Sequence, residues 1–228
     1  NRERLAGAGL RVPAVFAGPN HGELAAAYSA RPGSVGEAYG ITGPHDQAAL
    51  RERLLGRLQD EMADGGTWLI TSEHLASRLR TRDEIAALVA DLHGVAPRIH
   101  VVAHVRRPDH LLPSLWGEAV KGGGARPMDA DYVALVRRHL DQRAFARRWS
   151  KHGARLVLLP YLERYRREPQ AYEDGWLDVL GRVTGLDVQG CFVERAERPA
   201  NTSLPLPALE YLRHLNQGGR GPAPTGPA

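Results

Sequence analysis

Three short apolar runs, each passing into a helical pattern, constrain this chain most. Thr67 to Thr71, Arg98 to Val105 and Arg155 to Leu159 read as strands. Helical spacing separates them. Asp46 caps a helix carrying Leu50, Leu54, Leu55 and Leu58, and Thr81 to Leu92 places Ile85, Leu88, Val89 and Leu92 on one face. Pro108 opens another helix, where its fixed φ and missing N–H are tolerated. Asp131 to Trp149 is long and amphipathic, and Trp176 to Val183 and Pro207 to Asn216 are helical. Strands alternating with helices predict a three-layer α/β/α domain around a mainly parallel sheet.

The ends and connections are less regular. Asn1 to Leu10 reads as the end of a helix stopped at Gly7 and Gly9, and Val12 to Phe16 is a short apolar run. Gly22 to Tyr28 is a short helix, and Arg31 to Pro44, rich in Gly and Pro, is a loop. One domain is expected over residues 1–217, followed by a Gly/Pro-rich flexible tail over 218–228.

Composition removes several classes. The 228 residues hold one cysteine, Cys191, so an intramolecular disulfide is excluded, and a reducing cytoplasm is expected. No apolar run suits a transmembrane helix and no signal peptide is visible, so stable membrane insertion is not expected. Of 30 basic residues only Lys121 and Lys151 are lysine. Arginine binds phosphate and sulfate in a planar, bidentate manner, but its excess here follows codon composition, so each arginine is judged by position. The 26 acidic residues interleave with the basic ones without an aromatic stacking pattern, which argues against a nucleic-acid partner. No histidine pair has ligand spacing on a common helix face, so no metal is expected.

In open α/β sheets, ligands sit beyond the carboxyl ends of the strands. That rule selects Asn20-His21, Ser72-Glu73-His74, Arg106-Arg107 and the turn after Leu159. The stretch His104 to Trp116 is the most informative: a strand ends in Arg106-Arg107, Pro108 starts a helix, and Ser114 lies eight residues after Arg106. An Arg at a strand end presents a guanidinium fork to a phosphate dianion, and a helical Ser adds a hydroxyl donor.

This element resembles the 3′-phosphate-binding element of sulfotransferases that use 3′-phosphoadenosine 5′-phosphosulfate (PAPS). Trp68 to Leu75 resembles the strand and turn that enter the active site in the bacterial branch of that family. Pro160 to Glu163 resembles its later strand-to-helix exit, and Asn201 to Leu204 its C-terminal Asn-x-Ser-Leu segment. The resemblance implies a P-loop NTPase-like sulfotransferase fold. It implies sulfuryl transfer from PAPS, without metal, to a hydroxyl of a small molecule, glycan or lipid, leaving adenosine 3′,5′-bisphosphate. Arg106, with Arg107 as substitute, and Ser114 would bind the 3′-phosphate, and Asn201 and Ser203 would reach the nucleotide or cap the final helix.

In-line sulfuryl transfer needs positioning, charge neutralisation and a base for the acceptor hydroxyl. His21 is the first candidate, because neutral imidazole is available near neutral pH. Glu73 is the second, with His74 beside it. Neighbours on an extended strand point to opposite faces, so at most one of that pair should face the cleft.

The family begins with a strand and a Gly-rich loop whose amides and lysine cradle the 5′-phosphosulfate. No such loop exists here, and Asn1 to Leu10 resembles the end of the helix that follows it. The expectation is a domain lacking its first strand and phosphate loop, either in the sequence as read or in the protein. Two other readings remain: another P-loop nucleotide-dependent transferase or kinase, and a non-enzymatic Arg-rich polyanion-binding module.

Overall fold

The computed structural model describes residues 1–16, 20–162, 168–191 and 204–218. The chain forms two compact units. The first comprises Asn1–His104 and Phe145–Glu194, the second Val105–Ala144 and Arg195–Ala228.

The first unit opens with α1 (Arg2–Gly7), which stops at Gly9, and β1 (Leu10–Arg11). Leu10 is therefore a strand residue rather than the end of the helix. Next come α2 (Gly22–Tyr28), α3 (Ser34–Ala38) and α4 (Pro44–Met62). The expected loop over Arg31 to Pro44 thus contains a helix, and α4 starts at Pro44 in its first position. Asp46 does not cap α4; its carboxylate accepts from the Thr42 amide and hydroxyl and closes the preceding turn.

After β2 (Thr67–Trp68) the chain enters α5 (Glu73–Arg78) and α6 (Arg82–His93). Thr81, where the helix was expected to begin, is the N-cap of α6. Its hydroxyl accepts from the Glu84 amide, and the Glu84 carboxylate accepts from the Thr81 amide. β3 (His100–Val105) pairs with β4 (Arg155–Pro160). α10 (Pro169–Thr184) is longer than predicted, because Pro169 suits its first turn and the helix runs on until Gly185 adopts a left-handed φ of 76°.

Side-chain parity divides this unit into layers. One core joins Leu50, Leu54 and Leu58 of α4 and Ile85, Leu88 and Val89 of α6 to Ile70, Val101 and Leu156. A second joins Leu5 of α1 and Leu177 and Leu180 of α10 to Leu10, Val12 and Leu69. Leu69 and Ile70 are adjacent along the chain, so the two cores lie on opposite faces of the strands. The mixed α/β character expected from the alternation is present. The sheet is shorter and divided: β1 pairs with β2 in parallel, and β3 with β4, as separate two-stranded ladders.

The second unit is helical: α7 (Pro108–Lys121), α8 (Ala130–Leu140) and α11 (Leu206–Gln217) surround Trp116, Val120, Tyr132, Val136 and Leu209. The Trp116 indole donates to the Arg126 carbonyl, and the Asn216 amide group donates to the Val120 and Gly124 carbonyls. The long helix expected over Asp131 to Trp149 is two helices, α8 and α9 (Gln142–Trp149). Asp141 leaves helical geometry at ψ 80°, and its carboxylate accepts from the Ala144 amide, so it ends one helix and caps the next.

Candidate functional site

The predicted base candidates gather in the first unit, where α2 meets α5. Every residue of α2 is buried. Just before it, His21 is 2% exposed, with its ring stacked on Phe16 at 4.2 Å and 17°. The His21 amide donates to the Thr71 carbonyl at 3.0 Å, and its Nδ1 accepts from the Thr71 amide at 3.1 Å. A backbone amide can only donate, so in the neutral ring the proton sits on Nε2. Burial lowers the imidazole pKa, with Arg2 acting in the same direction and Glu23 opposing. His21 is accordingly a neutral ring that offers an Nε2–H. It can take up a proton only by releasing Thr71.

Glu73 and His74 occupy the first turn of α5, not an extended strand. The argument that they point to opposite faces therefore does not apply; successive helical residues are separated by about 100°. Ser72, extended at φ −160°, is the turning point. The Glu73 amide donates to Asn20 Oδ1 at 3.2 Å, its carboxylate is exposed, and Oε1 lies 3.8 Å from His74 Nε2. His74 reaches back to α2: a Cβ at Gly22 would lie 3.2 Å from its ring and 3.1 Å from the Tyr39 hydroxyl. Glycine is the residue that admits both neighbours at this point.

Sequence reasoning missed Glu23 and Tyr39. Glu23 is 5% exposed and hydrogen-bonds with the Tyr39 hydroxyl. The Tyr39 pKa is raised by burial and by that carboxylate. The available signal was a lone carboxylate opening an otherwise apolar helix, Glu23 before Leu-Ala-Ala-Ala-Tyr. A second polar cluster also went unread. The Tyr28 hydroxyl donates to Asp91 at 2.6 Å, Arg51 Nε donates to the same oxygen at 2.5 Å, and the Arg51 guanidinium lies 4.7 Å from the Tyr28 ring centre. This ties α2, α4 and α6 together. The open cleft beside it, lined by Gln47, Arg51, Glu52 and Asp91, contains none of the predicted site residues.

The anion-binding candidates belong to the second unit. Arg106 follows the end of β3, and its carbonyl accepts from the Gln142 side chain. Arg107 is the N-cap of α7. Its exposed guanidinium forms a two-point pair with Asp109, Nε to Oδ1 at 3.2 Å and Nη2 to Oδ2 at 2.8 Å. That pair holds the Asp109 carboxyl below its usual pKa. Arg107 thus has a carboxylate partner in its own helix. Pro108 occupies the first helical position as predicted. Ser114, half-buried, lies in line with His110 and Arg107 at i−4 and i−7, the side that runs back toward the helix start. Asn201 and Ser203 lie outside the described residues.

His104, two residues before Arg106 but in the first unit, sits among Trp176, Tyr172 and Tyr161, at ring separations of 4.7, 5.0 and 6.4 Å. Both its ring nitrogens are buried without a hydrogen-bond partner, and burial lowers its pKa to about 4. Among the described residues no group of three or more His, Cys, Asp or Glu could hold a metal ion, and no helix is long and apolar enough to cross a membrane. The chain matches no protein-family model, no curated protein and no solved structure.

Proposed function

We propose that the chain is a cytoplasmic PAPS-dependent sulfotransferase acting on a hydroxyl of a small-molecule, glycan or lipid acceptor. One observation carries the reading: the order strand end, Arg106, Pro108 at the first helical position, Ser114 two turns on. A guanidinium at the end of a strand and a hydroxyl on the next helix suit a phosphate dianion. These residues fit the 3′-phosphate end of PAPS. Among the described residues no Gly-rich turn with a lysine fits the 5′-phosphosulfate, so no step is assigned to residues at that end.

PAPS, when bound, supplies an electrophilic sulfuryl group. The chain's own residues would bind and handle the proton. Arg106 holds the 3′-phosphate as a bidentate donor, and Ser114 adds one hydroxyl. Glu73, whose carboxylate is exposed, takes the acceptor proton, with His74 beside it. His21 orients rather than accepts, because its Nδ1 lone pair is committed to Thr71.

Calorimetric titration with adenosine 3′,5′-bisphosphate tests the binding element. Arg106→Ala should weaken binding by about 10- to 100-fold, the cost of a lost charged hydrogen bond. Equal affinity in the variant, or no binding by the parent chain, overturns the assignment. Glu73→Gln should lower turnover while leaving bisphosphate affinity unchanged.

A further inference from the structure

The polar cluster that ties α2, α4 and α6 together has hydrogen-bonding capacity left over. Asp91 receives two bonds, from the Tyr28 hydroxyl at 2.6 Å and from Arg51 Nε at 2.5 Å, and both fall on Oδ2. Its Oδ1 is left with no donor among the described residues. A guanidinium has five N–H groups. Arg51 uses only the one on Nε for Asp91, so those on Nη1 and Nη2 remain beyond that bond. Gln47, one turn before Arg51 on α4, is placed in the same way. Its Nε2 donates to the Ala26 and Ser29 carbonyls, at 2.7 Å each. Carbonyls only accept, so these two bonds fix the orientation of the amide and leave Oε1 as an uncommitted acceptor.

These three side chains line one cleft. Pro44, Ala48, Arg51 and Leu55 follow one another at helical spacing along α4, and Ala27 of α2 and Asp91 of α6 complete the lining. The cleft holds about 380 Å³, within the range of small-molecule sites. The Arg51 and Asp91 side chains are 39% and 22% exposed, and, unlike the His104 ring nitrogens, none of the leftover atoms is sealed from solvent. Each polar side chain is already held in place. Gln47 is fixed by two carbonyls, Asp91 by two donors, and Arg51 by Asp91 with its guanidinium over the Tyr28 ring. A ligand that meets them orders little that is not ordered already.

The chemistry of the lining selects the ligand. Arg51 and Asp91 cancel in charge, and Glu52 adds one negative charge, so an anion is opposed. A cation could use Asp91 and Gln47 but would face the Arg51 guanidinium. A primary carboxamide suits both sides. Its carbonyl accepts from the Arg51 Nη groups, and its NH₂ donates to Asp91 Oδ1 or Gln47 Oε1. The rest of the lining, Ala27, Pro44, Ala48 and Leu55, is apolar and suits a ring attached to the amide. We propose that the cleft lined by α2, α4 and α6 is a binding site for a small neutral ligand that carries a carboxamide on an apolar ring. The site shares no residue with the predicted catalytic and anion-binding candidates, and it stands if the sulfotransferase reading fails.

Benzamide, benzoate and benzamidine share one shape and differ in the charge of the head group, so the three serve as probes. Each is titrated into the 228-residue chain and followed by backbone amide chemical shifts. Benzamide should move the signals of Ala48, Arg51 and Asp91 saturably, with a Kd of about 1–10 mM. It should bind at least about fivefold more tightly than either charged relative. Ala48→Phe fills the cleft from an exposed helical position. That variant should abolish binding and leave the unfolding midpoint unchanged. Arg51→Lys keeps the charge beside Asp91 but loses the Nη fork, and should weaken benzamide at least about fivefold. Absence of a saturable shift up to the solubility of benzamide overturns the proposal. Tighter binding of benzamidine makes the cleft a cation site, and tighter binding of benzoate an anion site; either result overturns it. Equal affinity for all three shows that only the apolar lining acts, and saturation that survives Ala48→Phe places the ligand elsewhere; both overturn it as well.

Discussion

The approaches to α2 and α7 carry the residues that pattern alone singled out, and they are built in opposite ways. At α2, His21 is buried, stacked on Phe16, and bonded through both backbone and ring to Thr71, fifty residues away. At α7, Arg107 is exposed and pairs with Asp109, two residues away. The first junction depends on distant parts of its unit, whereas the second is a local motif that fixes itself. Substitutions should therefore be costly at the start of α2 and cheap at the start of α7. The expense in α7 lies further along, where Trp116 is buried.

The largest expected effect is at that point. Trp116→Ala should cost about 4 kcal/mol, because it empties the centre of the α7, α8 and α11 core and strips the Arg126 carbonyl of its donor. Denaturant unfolding would read the loss. A cost below about 1 kcal/mol would show that the weight of α7 is carried elsewhere. His21→Ala should cost about 3 kcal/mol, combining the lost stacking with an unsatisfied Thr71 amide. Asp91→Ala should cost about 2 kcal/mol, less than the removal of a fully buried group, because the Arg51 side of the cluster is partly exposed.

Acid should act on the first unit before it reaches the carboxylates. The folded pKa of His104 is depressed to about 4 by burial, against 6.5 in the unfolded chain. Between those values the unfolded state binds more protons, so stability rises with pH. The contribution is fully present above about pH 6.5 and is lost as pH falls toward 4. His21, also depressed, adds in the same direction. Thermal melts from pH 7.5 to 4 should show this slope, and His104→Phe should flatten it; an unchanged slope in that variant would remove His104 from the account. The smallest effect is expected at Arg107→Ala, within about 0.5 kcal/mol, since exposed ion pairs are worth little.

The same contrast explains what could be read from sequence. The helical run from Thr81, Pro108 at a helix start and the Arg106-to-Ser114 spacing are local patterns, and they were legible. The break at Asp141 was not: hydrophobic spacing continues across it, and only the carboxylate's bond to the Ala144 amide reveals that it serves as a cap. Ser72 before Glu73 could have signalled a helix start, but the apolar run leading into it read as one unbroken strand. The burial of α2, and with it the Glu23–Tyr39 pair, depends on α4, α5 and α6 closing around seven residues. No local spacing encodes that closure. The division of the sheet likewise depends on which strands pair, and periodicity leaves pairing open.

The two ladders also set an order of events during synthesis. Leu10 pairs with Thr67, and Ile99 bonds to Arg155, so each ladder closes a loop of more than fifty residues, whereas every helix closes locally. At roughly 5–20 residues per second, about 3–10 s separate the emergence of Val105 from that of Arg155. For that interval the apolar run Val101 to Val105 lacks its β4 partner. Over that time it is a segment of this chain that needs a chaperone's cover while the ribosome is still at work.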